Sequence, residues 1–428
     1  MFVLLTPPDF FPELLEVDTK VPPTKNRGIV LTLEHMKCRL CHSEDALEFL
    51  DLGRQPLANK YPKKEQFASE DFFGVKVFFC GNCKSVQLGV AVSRERMFED
   101  YYYLASVNVG LVQQYEVFAQ TLVNSRFVVD IGSNDGILLR PLKALGVKAI
   151  GVEPSINVSK IANDAGLTTV TAFFDSETVR KITDEHGKPD VITGFSMLSH
   201  LGDPHEFVED VKDLLTDGGK FILEIEYVDT ILKSMCFERF YLDRISYYSV
   251  TSLENLFQHH GMYLSDVEET NSHGGSLRAT AQKKGRGSAP TENVSRYIAY
   301  EIAMLTSERL TEFGQEARSQ ISALRAMLEG YRASGLKVAG FGAPARVATL
   351  TNFGCIGPDL IEFIVDETPL KQNRFSPGMH IPIVPLAHLD GNRPDVIVVF
   401  VHEYFDVVKK KLSGSYQYVF PIPPKEVS

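Results

Sequence analysis

The sequence has no run of 18 apolar residues, so it offers no membrane-spanning helix. Met1 to Pro8 are apolar only briefly and lack a basic start, so they do not read as a signal peptide. A cytoplasmic location follows by default. Basic charge is scarce: 44 Lys and Arg stand against 55 Asp and Glu, a net charge of -11. General nucleic-acid binding needs clustered cations to meet phosphate, so that class is excluded, although a local basic pocket is not. No short-period repeat occurs. Cysteine is rare, with six in 428 residues. Their spacing is not that of a secreted disulfide framework. What is present is an ordinary globular mixture, 44% apolar and 23% charged, long enough for two or three domains.

Four of the cysteines form two C-x-x-C pairs, Cys38/Cys41 and Cys80/Cys83, with 38 residues between them. Each pair makes a knuckle that brings two thiolates to one ion, and two knuckles give a closed tetrahedral zinc site. A closed site has no open position, so the zinc is structural. Free buried thiols and a redox C-x-x-C are the alternatives; the presence of two pairs argues against the redox one.

Residues 1–33 read as an extension. Residues 34–110 form the cysteine module, with short strands at Val75–Phe79 and Val86–Val90. Residues 111–285 alternate β-branched runs with helical patterns, which predicts a parallel sheet with crossover helices. A linker at Lys283–Pro290 leads to a helical stretch over 291–333 and a second α/β region, completing a unit over 286–428. The expected fold class is therefore α/β: a Rossmann-like domain flanked by a zinc module and a second Rossmann-like domain.

The central unit carries Val128-Val-Asp130-Ile-Gly132-Ser-Asn134-Asp135-Gly136, a strand entering a glycine turn and then a helix. Glycines let a ligand approach the backbone. Glu153, 21 residues after Gly132, ends the next strand and can accept ribose hydroxyls. G-x-G-x-x-G is absent, and acidic residues at the turn would repel a pyrophosphate. They suit S-adenosylmethionine (SAM), which carries a sulfonium and an ammonium. Phe173 and Phe174 are placed beside the adenine, and Ser196 follows the fourth strand. A ligand-free α/β turn is the bland alternative.

His200 follows that strand at the sheet edge where ligands sit, and can act as a general base. It can equally be a structural histidine. Tyr241, Asp243 and Arg244 lie in an aromatic, ionisable stretch after Glu224 and Glu226, which reads as an acceptor pocket or an amphipathic edge. His273-Gly-Gly-Ser-Leu-Arg278 is a tight turn into a strand. In the last unit Arg346, Lys371 and Arg374 can meet a diphosphate, and Gly340-Phe-Gly342 is a weak nucleotide signature.

The two C-x-x-C pairs, Tyr101-Tyr102-Tyr103-Leu-Ala-Ser106, Ser199-His200, His273 to Arg278, Gly342-Ala-Pro-Ala-Arg346 and Asp366-Glu-Thr-Pro-Leu-Lys371-Gln372 occur in one order. In this the chain resembles the nucleotide-sugar C-methyltransferases of deoxysugar biosynthesis. The resemblance covers about 36–428. It implies a class I SAM-dependent methyltransferase domain between the zinc module and the C-terminal domain. It implies transfer of the methyl to a carbon beside the ketone of a nucleotide-linked sugar, through α-proton removal and enolate attack. It places His200, Tyr241, Asp243, Arg244 and Tyr103 in catalysis, and Tyr102, Glu224, His273, Arg278, Arg346, Lys371 and Arg374 on the substrate. The expected partner is a small molecule, the expected assembly a monomer or weak oligomer. The sequence departs from that family at one place: Tyr241-Leu-Asp-Arg244 stands where relatives read Tyr-His-Glu-His. Arg cannot serve as a base at neutral pH. Either His200 takes the proton, or the methyl goes to N, O or an acidic carbon of another small anionic molecule. A further departure is His402-Glu403 in place of a common Trp-Asn pair, in a chain without tryptophan.

Overall fold

The computed structural model describes residues 36–93, Met97, 103–412 and 414–428, with Leu31–Thr32 as a short strand antiparallel to Val90–Ala91 and His273 by its backbone alone. The rest of the expected extension over 1–33, and Tyr102, lie outside the described residues. No described helix is long and apolar enough to cross a membrane.

The cysteine module is an antiparallel sheet of β1 (Ala46–Pro56), β2 (Phe72–Cys80) and β3 (Val86–Leu88). Its inward side chains are large and apolar: Phe49, Leu50, Leu52, Val75, Val77, Phe79 and Leu88 are all buried. Burying such surface contributes about 25 cal/mol per Å² and drives the sheet onto a partner.

The central sheet uses β4 (Val128–Ile131), β5 (Ala149–Val152), β6 (Thr169–Val170), β7 (Val191–Phe195) and β8 (Lys220–Glu226). Next comes β9 (Ser246–Tyr247), which leaves this sheet and pairs with β3 of the cysteine module. β10 (Met262–Thr270) and β11 (Ser276–Lys283) return to it. The spatial order is β10-β11-β8-β7-β4-β5-β6. The five strands from β8 to β6 run parallel, whereas β11 is antiparallel to both neighbours. This is the sheet of a class I SAM-dependent methyltransferase. β4 and β7 are buried along their whole length, as strands covered by helices on both faces must be.

The C-terminal sheet has β12 (Val338–Phe341), β13 (Ile364–Val365), β14 (Arg374–Phe375), β15 (Pro382–Val384), β16 (Val396–Val399), β17 (Gln417–Pro421) and β18 (Pro424–Val427). Its order is β14-β15-β13-β12-β16-β17-β18, with a parallel, Rossmann-like centre. The helical stretch expected as one unit is two helices, Glu292–Met304 and Ser307–Ala333. They break because the Thr306 side chain caps the second, accepting from Arg309 N at 3.3 Å.

One buried cluster joins the cysteine-module sheet, residues between Val228 and Tyr247 of the central unit, the Ser307–Ala333 helix and the C-terminal sheet. The first and last units therefore share a core across the chain. Glu301 adds a polar tie between the C-terminal unit and the middle one. Its buried carboxylate accepts from Tyr227 Oη (2.8 Å), Val250 N (2.8 Å), Thr251 N (2.7 Å) and Thr251 Oγ1 (2.6 Å).

Candidate active site and zinc centre

The four cysteine sulfurs lie within 4.8 Å of one another. Cys38–Cys83 and Cys41–Cys80 are at 3.5 and 3.6 Å. Thiolates at about 2.3 Å from a tetrahedral zinc stand roughly 3.8 Å apart, so the cluster fits that ion. The two knuckles repeat one backbone pattern. Cys38 N donates to Ser43 O and His42 N to Cys38 O; Cys80 N donates to Ser85 O and Lys84 N to Cys80 O. His42 and Lys84 both take positive φ. Cys38, Leu40, Cys80 and Cys83 pack in the same buried cluster as Phe207, Val208 and Phe257 of the central unit. The zinc site thus serves as a joint between domains.

A cavity of about 400 Å³ opens at the carboxyl edge of the central sheet. All three units line it: Asn59 from the cysteine module, a central set, and Pro344, Ala345, Arg346, Lys371, Val401, Glu403 and Tyr404 from the C-terminal domain.

Its donor end is anionic and aromatic. Asp130, next to last in β4, is buried and accepts from Thr193 Oγ1 at 2.6 Å. Burial, with Glu153 adding repulsion, pushes its pKa up to about 7. Glu153 directly follows β5 and is held by Asn134 N at 3.1 Å and Ser155 N at 2.8 Å. Burial raises its pKa as well. Two buried carboxylates, with Phe173, Phe174, Phe195 and Phe207 beside them, suit a cationic ligand with a flat base, which is what SAM is. Gly132 takes φ +72 and leaves room beside Met197, whose Cβ would be 3.3 Å from a Cβ placed there.

Asn134 lines the cavity, and its side chain and that of Asp135 also hold a neighbouring segment. Asn134 Oδ1 accepts from Ala105 N at 2.9 Å and its Nδ2 donates to Tyr103 O at 3.3 Å. The Ser106 hydroxyl donates to Asp135. These side chains clamp the segment Tyr103–Asn108 over the donor turn. Asp135 and Gly136 are not in the lining; Gly136 packs beneath Leu167. Ser196 and Tyr103 do line the cavity.

His200 stands between the two ends. Its Nδ1 meets the Asp243 carbonyl, which can only accept, so in the neutral ring Nδ1 carries the proton, and the Ser196 backbone is a second hydrogen-bonding partner of the ring. Burial first, then the charge of Arg244, holds its pKa down to about 4, so the ring is neutral at pH 7. Tyr241 and Arg244 both line the cavity, with the guanidinium 5.2 Å from the phenol ring centroid. Arg244 Nη1 pairs with Glu226, which Arg239 Nη1 also contacts at 3.4 Å. Arg346 holds Glu403 through both guanidinium nitrogens at 2.6 Å each. Lys371 Nζ donates to Ala343 O at 3.0 Å, and burial lowers its pKa.

Some expected acceptor contacts do not reach the cavity. Glu224 and Arg278 face each other across β8 and β11 and pair at 2.8 Å, with the guanidinium stacked on Phe118 at 4.6 Å. They tie the sheet together. Arg374 Nη1 donates to Tyr61 O at 3.0 Å and docks the C-terminal domain on the cysteine module. The Asp243 carboxylate faces Asn59 Nδ2 at 2.5 Å, away from the lining; its role toward His200 runs through its carbonyl. The His273 side chain is outside the described residues, but Gly274 of the same turn lines the cavity. Sequence reasoning missed Asn59, Arg239, Tyr115 and Tyr404. No local motif marks them, because only the domain arrangement brings them in.

Comparison with known proteins agrees. A C-methyltransferase C-terminal domain model matches residues 271–423, a methyltransferase domain model 99–266 and a zinc binding domain model 38–98. C-methyltransferase NovU of Streptomyces niveus is 30% identical over 406 residues, 91% of this chain and 96% of its own. A ubiquinone biosynthesis O-methyltransferase of Chelativorans sp. (strain BNC1) is 26% identical over 25% of this chain and 42% of its own. Among solved structures, magnesium protoporphyrin IX methyltransferase of Synechocystis PCC 6803 with bound SAM overlays 42% of this chain and 82% of its own, with TM-score 0.32 and 16% identity, a likeness too low to carry an argument. The likeness to NovU runs nearly end to end in both proteins, so this chain belongs to the C-methyltransferase family and is a SAM-dependent methyltransferase with a structural zinc site.

Proposed function

We propose that the enzyme methylates the carbon beside the ketone of a nucleotide-linked keto-deoxysugar. One observation carries this reading: a single cavity has an anionic, aromatic donor end and an arginine-lined acceptor end, with neutral His200 between them. The family relationship supports carbon as the methylated atom. SAM supplies a methyl on a sulfonium, which departs as a neutral thioether. The Asp243 carbonyl orients His200 with Nδ1 protonated, so Nε2 is the basic nitrogen. That nitrogen takes the α-proton from the acceptor carbon. The electron pair moves onto the ketone oxygen, where the Tyr241 hydroxyl and the Arg244 charge stabilise it. The negative charge forming beside His200 raises its affinity for the proton as the transfer proceeds. The units 34–110, 111–285 and 286–428 act as scaffold, donor domain and acceptor domain in this proposal.

Arg244 favours a second reading, in which the methyl goes to N, O or an acidic carbon of another small anionic molecule, because an arginine takes no proton. The test is incubation with SAM and a panel of thymidine-diphosphate keto sugars. Loss of one α-hydrogen per methyl gained supports the first reading. Methylated O or N, with the α-hydrogens intact, overturns it. With the demethylated donor product bound, the enzyme should exchange the acceptor α-hydrogen for deuterium, and His200→Asn should slow that exchange by about 10²–10⁴-fold.

A further inference from the structure

The acceptor end keeps its arginines in a closed ion network. Arg346 grips Glu403 fork to fork, Nη1 to Oε1 and Nη2 to Oε2, both at 2.6 Å. Arg239 Nη2 adds a contact to Oε1 at 3.2 Å. The two side chains are 13% and 24% exposed, and both line the cavity. Burial pushes the Glu403 pKa up, but the Arg346 hydrogen bond and charge outweigh it and hold the carboxyl down to about 2. Glu403 is therefore a full anion at any working pH.

A guanidinium fork held in this way is the geometry that recognises a carboxylate or phosphate from outside. Glu403 rides on the turn His402–Tyr404, directly after β16 at the carboxyl edge of the C-terminal sheet. Tyr404 on that turn is 46% exposed and accepts from Asn108 Nδ2 at 3.3 Å. Gly274 roofs the network: a Cβ there would lie 2.6 Å from Arg239 Nη2 and 3.4 Å from Glu403 Oε1. Lys371, on the same lining, faces a backbone carbonyl and Asp366 at 3.9 Å.

We infer that Glu403 is an internal stand-in for the anionic group of the acceptor. Its carboxylate fills the Arg346 fork, and an anionic acceptor binds by taking its place, which moves the His402–Tyr404 turn away from Asn108. A diphosphate brings more charge than one carboxylate and can also engage Lys371, so the exchange selects it over a monoanion. The inference rests on the proposed acceptor being nucleotide-linked and therefore anionic.

The experiment is calorimetric binding of inorganic pyrophosphate and of thymidine diphosphate to the zinc-loaded full chain, saturated with the demethylated donor product. Glu403→Gln is expected to tighten both by at least tenfold, and adding Arg346→Gln to it should abolish the gain. Glu403→Asp keeps the charge but withdraws it by one methylene; several-fold tightening is expected, and this tests the inference if the Gln variant does not fold. Affinities equal within twofold in the parent, Glu403→Asp and Glu403→Gln overturn the stand-in role. Absence of binding in all of them overturns Arg346 as the anion site. Neither result bears on the keto-sugar reading, which fails separately if the product assay yields no C-methylated sugar.

Discussion

Asp130 provides a test of how the donor end is built. Its carboxyl, ordinarily near 3.8, is raised to about 7, with burial as the main cause. Between those two pH values the folded protein holds a proton that the unfolded chain has released. Stability from this group is therefore present at low pH, falls as pH rises through the window, and levels off above about 7. A difference of roughly 3 pH units corresponds to about 4 kcal/mol, and relaxation around the charge reduces that to about 2 kcal/mol. Asp130→Asn keeps an oxygen to accept from Thr193 and removes the charge. Without a donor bound, the variant should melt roughly 4–8 °C higher than the parent at pH 8 and only about 1–2 °C higher at pH 4.5. SAM binding should respond in the opposite sense. In the parent, SAM should tighten by up to about tenfold per pH unit from pH 5 to 7 as Asp130 ionises beside the cation; the demethylated product, which loses the sulfonium charge but keeps the ammonium, should follow the same trend wherever Asp130 meets the ammonium. In Asp130→Asn the SAM affinity should lose this steep rise from pH 5 to 7. Thermal melts and calorimetric titrations from pH 4.5 to 8 measure both. A stability gain equal at pH 4.5 and 8, or a SAM affinity that ignores pH in the parent, refutes the assignment.

Removing zinc with a chelator, or by Cys80→Ser, should lower the melting temperature of the central domain as well as the module, because Cys38, Cys80 and Cys83 pack in the central core; metal content by mass spectrometry and the melt report this, and an unchanged melt after full metal loss would contradict it. Arg278→Ala leaves the buried Glu224 carboxylate without its partner and should destabilise the protein by about 3–5 kcal/mol. An increased acceptor KM with an unchanged melting temperature would instead return Arg278 to the substrate. Ser106→Ala frees one end of the Tyr103–Asn108 segment from Asp135 and should weaken SAM binding several-fold with little change in melting temperature; equal SAM affinity in calorimetry would exclude the clamp.

The donor half was legible because it is local. Asp130, Gly132 and Glu153 sit in or just after two consecutive strands, and the glycine turn with its carboxylates can be read at short range. The zinc ligands were legible for the same reason: each knuckle closes within six residues. The acceptor half was only partly so. Tyr241, Arg244, Arg346 and Lys371 reach the cavity as expected, yet Glu224 and Arg278 do not. Both look like exposed ionisable residues near a pocket in sequence. Their fate was set by register, which places them opposite each other on β8 and β11. Asn134 and Asp135 were read as ligands to the donor because they sit in the turn; Asn134 lines the cavity while also bonding Ala105 and Tyr103, whereas Asp135 lies outside the lining and bonds Ser106, about 30 residues earlier.

The sequence by itself determined the zinc site, the α/β character of both later domains and the acidic donor turn, since these depend on short spacings and on strand and helix periods. Only the tertiary structure decided that the first and last units share a core, that β9 crosses into the cysteine module, and that Glu403 closes the Arg346 fork. Those outcomes join residues as far apart in sequence as Tyr61 and Arg374, 313 positions. Packing chooses such pairs by shape and charge after the local elements have formed, and nothing in the neighbouring residues of the chain encodes them.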